Sequence, residues 1–316
     1  MATPLPLLRL PWLAMKAVFD TMDLLEIFRI SQTSKRTHRF IKMFLSRRNF
    51  ILTAKFACPF TLEARCREHR SYGICMKLLS EYNFPIITKE ITIYAGLFKI
   101  CKVLLVVERP TLAPRAVKLF QSLNLNIDSI VVNLHKRANE YYQEMIELSR
   151  VAKNLEIFSD PTKKFRLPVS TKPFQFDTLK LFHAEWVTRY YLTNLFINCK
   201  ELYMENCQLS YSDYLMFFKQ WIKESRLEIA KIHMKEERNF SPMFKQLKAT
   251  PVNKIKHYGK RLDIPNGRCY MIQQETTGIR AAVLYTESNN LITVAKLLVL
   301  YSVKDAANPI HLQIDS

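Results

Sequence analysis

The chain has 316 residues, of which 48% are hydrophobic and 24% are charged. This composition is too apolar for a disordered protein, and the length allows one large domain or two unequal ones. Only five glycines are present, which mostly excludes the glycine-rich loops that cradle phosphate groups. The formal net charge of +19 would attract nucleic acid, anionic membranes or acidic protein surfaces, and charge alone does not choose among them.

Targeting and redox signals indicate a cytoplasmic or nuclear protein. Five residues interrupt any apolar run in the first nineteen and argue against a signal peptide: Pro4, Pro6, Arg9, Pro11 and Lys16. The apolar stretch at 97–107 is too short to span a bilayer, so no membrane partner is expected. The seven cysteines contain no CxxC pair, which is typical of buried free thiols in a reducing compartment.

Residues 10–45 predict three short helices. Pro11 suits the first helical position, and Asp23 can cap the second helix with Glu26 as its capping-box partner. The third helix places four apolar residues on one face: Phe40, Ile41, Phe44 and Leu45. A unit this small cannot bury all of its apolar side chains, so some must face the rest of the chain or another protein.

The same helices carry a recognisable series of residues: Leu10-Pro11, Val18-Phe19, Met22, Glu26 to Ser31 and Ser34 to Arg36. Aligned without a gap, this series resembles the F-box motif. The wider segment is similar to the F-boxes of the large nematode families that also carry an F-box-associated domain. It departs from the consensus at Thr33, Ser34 and Thr37, where the motif has Val, Cys and Trp.

The resemblance implies a module that binds a Skp-type adaptor and, through it, a cullin ubiquitin ligase. The family's adaptor contacts correspond to eight residues of this chain: Leu10, Pro11, Leu13, Val18, Phe19, Met22, Ile27 and Ile30. An ordinary amphipathic helical cap at the N-terminus is the alternative interpretation of these residues.

A short repeat follows three predicted strands at 49–57, 60–66 and 72–79. Its core is an apolar residue, any residue and a second apolar residue, in six copies that begin at these positions: Leu104, Ile130, Leu155, Leu179, Leu202 and Leu227. The intervals of 23 to 26 residues fall within the period of about 20–29 residues typical of leucine-rich repeats. The copy at 202–209 fits the LxLxxCxL signature, and helical patterns at 111–123, 137–154, 188–199 and 210–222 separate most copies.

Alternation along each repeat strand predicts which side chains face outward. The first and third residues of each copy would enter the core. The middle residues would form an exposed row: Leu105, Val131, Glu156, Lys180, Tyr203 and Glu228. We expect the last four, Glu156, Lys180, Tyr203 and Glu228, to contact a protein substrate. Chance periodicity within a different α/β fold is the alternative.

The region 176–300 is similar to the F-box-associated domain of the same families. Residues 198–232 carry most of this similarity, and residues 267–294 resemble its closing pair of strands, with Gly278 at the turn. In those families the domain is thought to capture substrate, so the resemblance implies a substrate-binding role here.

No catalytic or metal-binding motif is present in the sequence. None of the common nucleotide, zinc, serine-hydrolase or calcium motifs occurs, and the seven histidines stand apart from the cysteines. We therefore predict no catalytic residues, cofactor or metal, and a protein that is not an enzyme. The basic residues of the third helix admit three interpretations: a solvated helix face, attraction to an acidic adaptor or cullin surface, or nucleic-acid binding without a known motif.

The sequence thus predicts an α+β protein in which a three-helix F-box precedes a degenerate leucine-rich-repeat-like α/β solenoid. The expected segments are an F-box at 1–47, connecting strands at 48–100, repeats at 101–260 and a C-terminal strand pair and cap at 261–316. The predicted function is that of a substrate-recruiting adaptor in a Skp–cullin–F-box ubiquitin ligase. A stand-alone repeat-like binding module with an inert F-box, or a basic nucleic-acid-binding protein, are the alternatives.

Overall fold

The structure, a computed structural model, describes residues 10–68, 72–78, 83–133, 139–162, 164–168, 170–234, 241–252, 254–257, 260–263, 269–287 and 296–303. These residues divide into two compact units, the first up to Val131 and the second from Val132. Parts of the predicted C-terminal segments, including 288–294 of the predicted closing strands, lie outside the described residues.

The first unit contains helices packed beside a sheet. Its helices are α1 (Trp12–Thr21), α2 (Leu24–Ser31), α3 (Lys35–Leu45), α4 (Phe84–Leu97) and α5 (Ala113–Ser122). Its strands are β1 (Phe50–Phe56), β2 (Phe60–Cys66), β3 (Gly73–Leu78), β4 (Ile100–Val107) and β5 (Ile127–Val132), the last ending at the boundary. The three predicted helices and the three strands that follow them are confirmed, whereas α4 was not predicted.

The sheet of the first unit has the order β5-β4-β1-β2-β3. Strand β1 pairs in parallel with β4 and antiparallel with β2, and β3 lies at the edge. Helix α4 supplies the surface that the N-terminal helices lack on their own. Phe28 of α2 contacts Tyr94 of α4, with ring centroids 5.2 Å apart, and Tyr94 is fully buried.

The second unit begins with helix α6 (Asn139–Leu148) and continues mainly as strands. Its other helices are α7 (Tyr211–Lys223) and α8 (Ser241–Gln246), with one π-helical turn at Tyr191–Leu195. Its strands are β6 (Asn154–Ile157), β7 (Thr178–Leu181), β8 (Glu201–Cys207), β9 (Ile229–Met234), β10 (Thr250–Pro251), β11 (Lys254–His257), β12 (Lys260–Asp263), β13 (Cys269–Gln273), β14 (Arg280–Glu287) and β15 (Lys296–Val303).

The sheet of the second unit changes direction at β9. Strands β6, β7, β8 and β9 pair in parallel and in chain order. Beyond β9 the sheet continues with the antiparallel strands β15, β14, β13 and β10, while β11 and β12 form a separate hairpin. Gly278 has a φ of 69° in the β13–β14 turn, a left-handed conformation that glycine adopts at little cost, as its predicted turn position requires.

The α+β class is confirmed, but a leucine-rich-repeat-like solenoid is not. A solenoid needs a similar connection in every repeat, because each repeat packs only on its neighbours. In the described residues between β6 and β7 there is no helix, and the helix predicted at 188–199 is reduced to the π-helical turn and the two helical residues before it. The antiparallel strands beyond β9 also depart from a repeat.

The predicted alternation is correct in four copies and wrong in two. The copies at Ile130, Leu155, Leu179 and Leu202 bury their first and third residues. In the first copy Leu105 is fully buried, so it is a core residue rather than an outward one. In the last copy β9 begins only at Ile229, so the copy that starts at Leu227 precedes the strand.

Candidate functional site

The first helix presents apolar side chains on two sides. Met15 and Phe19 point into the core with 1% and 0% exposure. Leu13, 78% exposed, and Trp12, 41% exposed, point away from it. Pro11 is the N-cap rather than the first helical residue, and its carbonyl accepts the first helical hydrogen bond from the Met15 amide at 3.0 Å. The start of α1 therefore offers apolar surface to a partner.

Hydrogen bonds from side chains fix the starts of α2 and α3. The Asp23 carboxylate accepts from the Glu26 amide at 2.8 Å, and the Glu26 carboxylate accepts from the Asp23 amide at 3.0 Å, which confirms the predicted capping box. Ser34 accepts from the Thr37 amide at 3.1 Å and shares a 2.7 Å hydroxyl contact with the buried Thr37. Two of the three departures from the consensus, Ser34 and Thr37, thus form a local cap for α3.

The structure divides the eight predicted adaptor-binding residues into surface and core. Pro11 and Leu13 are exposed, and four are half-buried: Leu10, Val18, Met22 and Ile30. Phe19 and Ile27 are both 0% exposed and stabilise the helical unit from within, so the structure places them in the core, and their contact with an adaptor stays a prediction. Six of the eight remain available to a partner.

A groove with apolar and basic walls lies between α1 and α3. Its volume is about 360 Å³, and it is lined by seven residues: Trp12, Lys16, Asp20, Met43, Phe44, Arg47 and Arg48. The Trp12 ring lies 6.0 Å from the ring of Phe40, and Met43 is 53% exposed. Sequence reasoning left Trp12 unassigned and missed Met43, which is separated from the motif residues along the chain.

The basic residues of α3 and of the turn after it have two different roles. The Arg48 guanidinium pairs with Asp20 at 3.0 Å and lies over the rings of Phe44 and Tyr72. It therefore has a structural role. The others are exposed: Lys35, Arg36, Arg39, Lys42 and Arg47. They form a cationic face that would favour an acidic partner surface.

The second candidate surface is the outward face of β6 to β9. Glu156, Lys180 and Tyr203 are register partners on neighbouring strands, and the Glu156 carboxylate pairs with the Lys180 ammonium at 2.6 Å. The register partner of Tyr203 on β9 is Lys231. The predicted place of Glu228 in this row is therefore wrong, because Glu228 lies before the start of β9. Its carboxylate approaches the Lys200 ammonium at 3.7 Å.

Four rings lie on this face, and Tyr203 of the predicted row is one of them. We name them the aromatic row: Phe158, Phe182, Tyr203 and His233. Their successive centroid distances are 4.1, 5.7 and 5.4 Å, and the first pair is stacked with 10° between its planes. Phe158 is 39% exposed. Sequence reasoning missed Phe158 and Phe182, although each lies two residues after a predicted outward position and therefore on the same face.

Burial keeps the polar members of the aromatic row neutral near pH 7. Burial raises the pKa of Tyr203 to about 12, and its hydroxyl donates to the Glu205 carboxylate at 2.6 Å, which also raises the pKa. Burial lowers the pKa of His233; the nearby Glu205 opposes this shift and Lys231 adds to it. The row thus presents uncharged rings beside one carboxylate.

Several other features bear on function within the described residues. No three His, Cys, Asp or Glu side chains there are grouped to hold a metal ion. No helix in that part of the chain is both long enough and apolar enough to cross a membrane. All seven cysteines are free thiols, four of them buried, while Cys58 and Cys75 are exposed.

Two family models match segments of the chain. The F-box domain family matches residues 7–49, the segment that contains α1 to α3. The F-box associated family matches residues 171–234, which contain β7, β8, α7 and β9. No curated protein and no solved structure matches the chain. The two domain matches, in this order along the chain, identify it as an F-box protein with an F-box-associated domain on the C-terminal side.

Proposed function

We propose that the chain is the target-recruiting subunit of a Skp–cullin–F-box ubiquitin ligase. The observation that carries the proposal is the exposed apolar start of α1, where Leu13 is 78% exposed within a segment that matches the F-box family. A large apolar side chain left this exposed at the start of a helical module favours a protein partner.

In this proposal the chain makes and breaks no bond itself. The F-box binds a Skp-type adaptor and the second unit holds a target, so the target is kept near the ubiquitin-loaded enzyme. Tethering raises the effective concentration of the two reactants without any new catalytic group. This role would place the protein in the cytoplasm or nucleus, in keeping with its free thiols.

We assign target binding to the outward face of β6 to β9. Three of the predicted substrate-binding residues lie there in register, Glu156, Lys180 and Tyr203, and Lys231 takes the position first given to Glu228. Parallel pairing in chain order supports a repeat-like origin for these four strands. The predicted segment boundaries at residues 47, 100 and 260 belong to the same proposal.

Co-purification with a Skp-type adaptor tests the ligase proposal. The double variant Leu10→Ala with Pro11→Ala should lose the adaptor, because buried interface anchors are each worth about 2 kcal/mol or more. The control is Met216→Ala, which truncates a 43% exposed apolar side chain on α7 and should retain it. If the wild-type chain itself captures no adaptor, the ligase proposal fails and a stand-alone binding module replaces it.

The cationic face of α3 favours an acidic protein surface in this proposal, and nucleic acid is the alternative. Phosphate binding releases counterions, so its affinity falls steeply and linearly with salt on logarithmic axes. We expect adaptor binding to depend only weakly on salt because apolar contacts dominate it. Measurable binding of an unrelated duplex DNA, with a steep salt slope that Arg39→Ala and Lys42→Ala reduce, would support the nucleic-acid alternative.

A further inference from the structure

The aromatic row stands out on a surface where charged residues would be expected. The outward face of a half-exposed sheet normally carries polar side chains, since apolar ones there gain little from burial. Here Phe158 and Phe182 stack at 4.1 Å on that face, and Phe158 remains 39% exposed. Exposed, stacked rings of this kind are typical of a surface that a partner covers.

The charges around the row differ from those of the chain as a whole. The chain has a net charge of +19. The described outward residues of β6 to β9, however, include three carboxylates, Glu156, Glu201 and Glu205, and two ammonium groups, Lys180 and Lys231. Glu156 is already paired with Lys180. Three carboxylates against two ammonium groups leave these residues with a formal net charge of −1, which favours a cationic ligand over an anionic one.

The carboxylate of Glu205 is hydrogen-bonded to a member of the aromatic row. It accepts the Tyr203 hydroxyl at 2.6 Å, and no Lys or Arg of the described residues lies within ion-pair distance of it. Lys231 is on β9, beside Tyr203, whereas Phe158 and Phe182 follow β6 and β7. In the sheet, β8 separates β7 from β9, so both stacked rings follow strands that do not neighbour the one carrying this ammonium group.

We propose that the aromatic row, with Glu205, binds an arginine side chain in an extended segment of the recruited target. A guanidinium group is planar and stacks on aromatic faces, and it also pairs with a carboxylate through its fork of N–H donors. Stacked rings beside a carboxylate that pairs with no Lys or Arg of the described residues supply both kinds of contact. The identification of the bound segment as part of a target rests on the proposed function.

A peptide-display selection on the immobilised full chain provides the ligand for the test. A random peptide library should yield sequences that share an arginine. Replacing that arginine by glutamine in a selected peptide should weaken binding at least about fivefold, as measured by fluorescence anisotropy. Selected peptides without arginine, peptides rich in Asp and Glu, or no enrichment at all would each overturn the proposal.

Protein variants separate the two contacts. Glu205→Gln removes the charge at constant size, and Phe158→Leu keeps the apolar area but removes the ring. Each should weaken the arginine peptide about fivefold or more and leave the glutamine peptide nearly unchanged. Glu201→Gln, on the same strand and the same face, is the control and should bind like wild type. Equal loss of both peptides in Glu205→Gln would contradict a guanidinium site.

The same preparations distinguish this proposal from the ligase proposal. Phe158→Leu and Glu205→Gln should still co-purify with the Skp-type adaptor, because they lie in the second unit. If the wild-type chain binds the arginine peptide but no adaptor, the arginine site stands and the ligase proposal fails. If the chain captures the adaptor but the selection yields no arginine peptides, the ligase proposal stands and the arginine site fails.

Discussion

The indole Nε1 of Trp221 donates a hydrogen bond to the backbone carbonyl of Leu227 at 3.0 Å, and both side chains are buried. This bond ties the end of α7 to the segment that leads into β9. Ser225 adds a second tie, since its hydroxyl accepts from the Leu227 amide at 3.0 Å. Leu227 therefore fills the core from a connection and not from a strand.

Trp221→Phe should destabilise the second unit. The substitution leaves the Leu227 carbonyl buried without its donor, and a lost partner of this kind costs about 1–3 kcal/mol. Urea denaturation followed by circular dichroism measures the free energy of unfolding. The matched control is Trp12→Phe at a 41% exposed site, where a change within about 0.5 kcal/mol is expected. Equal effects of the two substitutions would show that the hydrogen bond contributes nothing.

The Trp221–Leu227 contact also explains one error of the sequence-based prediction. Leu227 is apolar, buried and 25 residues beyond Leu202, so its pattern mimics a repeat strand, although its burial has another cause. The error at Leu104 arises differently. Strand β4 is an almost continuous apolar run, and alternation cannot be read where both faces carry apolar residues. The copies at Leu155, Leu179 and Leu202 were predictable because a residue with a polar group separates their two apolar residues.

Helix α4 was missed because local preference and tertiary packing disagree. Its sequence is rich in β-branched residues, which favour strands. Ile87, Ile91, Tyr94 and Leu97 nevertheless recur at helical spacing and are buried. In contrast, the capping box of α2 was predictable, since it depends only on two residues three positions apart. The aromatic row needs the register of four strands, which the repeat pattern supplied only in part.

Asp23→Ala should lower the stability of the first unit by about 1 kcal/mol, because it removes the acceptor for the Glu26 amide at the start of α2. Asp23→Asn is the matched control and should be nearly neutral, since asparagine is an equally good N-cap. Thermal unfolding of both variants gives the comparison. A loss of the same size in Asp23→Asn would assign the effect to charge and not to capping.

Leu13→Asp should abolish adaptor binding while leaving the stability of the chain nearly unchanged, because Leu13 is 78% exposed. Ile27→Ala should mainly lower the stability of the chain. It removes a fully buried side chain and should cost about 2–5 kcal/mol of unfolding free energy. Co-purification and thermal melting on each variant separate surface from core. Strong destabilisation by Leu13→Asp would place that residue in the core and remove it from the proposed interface.

Leu202→Asp should unfold the second unit, because it places an unpaired charge in the core between the register partners Leu179 and Ala230. Gln208→Asp introduces the same side chain at an exposed position soon after the same strand and serves as the control. Thermal melting should show loss of the transition only for the first variant. An unchanged melting temperature in Leu202→Asp would contradict the inward orientation of Leu202.

His233→Gln should reduce the acid sensitivity of the second unit. The folded-state pKa of His233 is lowered by burial, so the unfolded chain binds its proton more readily. The contribution of the neutral imidazole is therefore complete above the unfolded pKa of about 6.5 and declines as the pH falls below that value. Glu205 and Lys231 are the charged groups that act on this histidine, and its register partner on β15 is Leu297.

Unfolding free energies of wild type and His233→Gln, measured at several values between about pH 7.5 and pH 5.5, test this sign. The wild type should lose more stability than the variant over that interval. The other histidines are present in both proteins, so their contributions cancel in the difference between the two unfolding free energies. If the wild type instead gains stability relative to the variant as the pH falls, the Glu205 carboxylate outweighs burial, and His233 enters the aromatic row as a cation that would repel the proposed arginine.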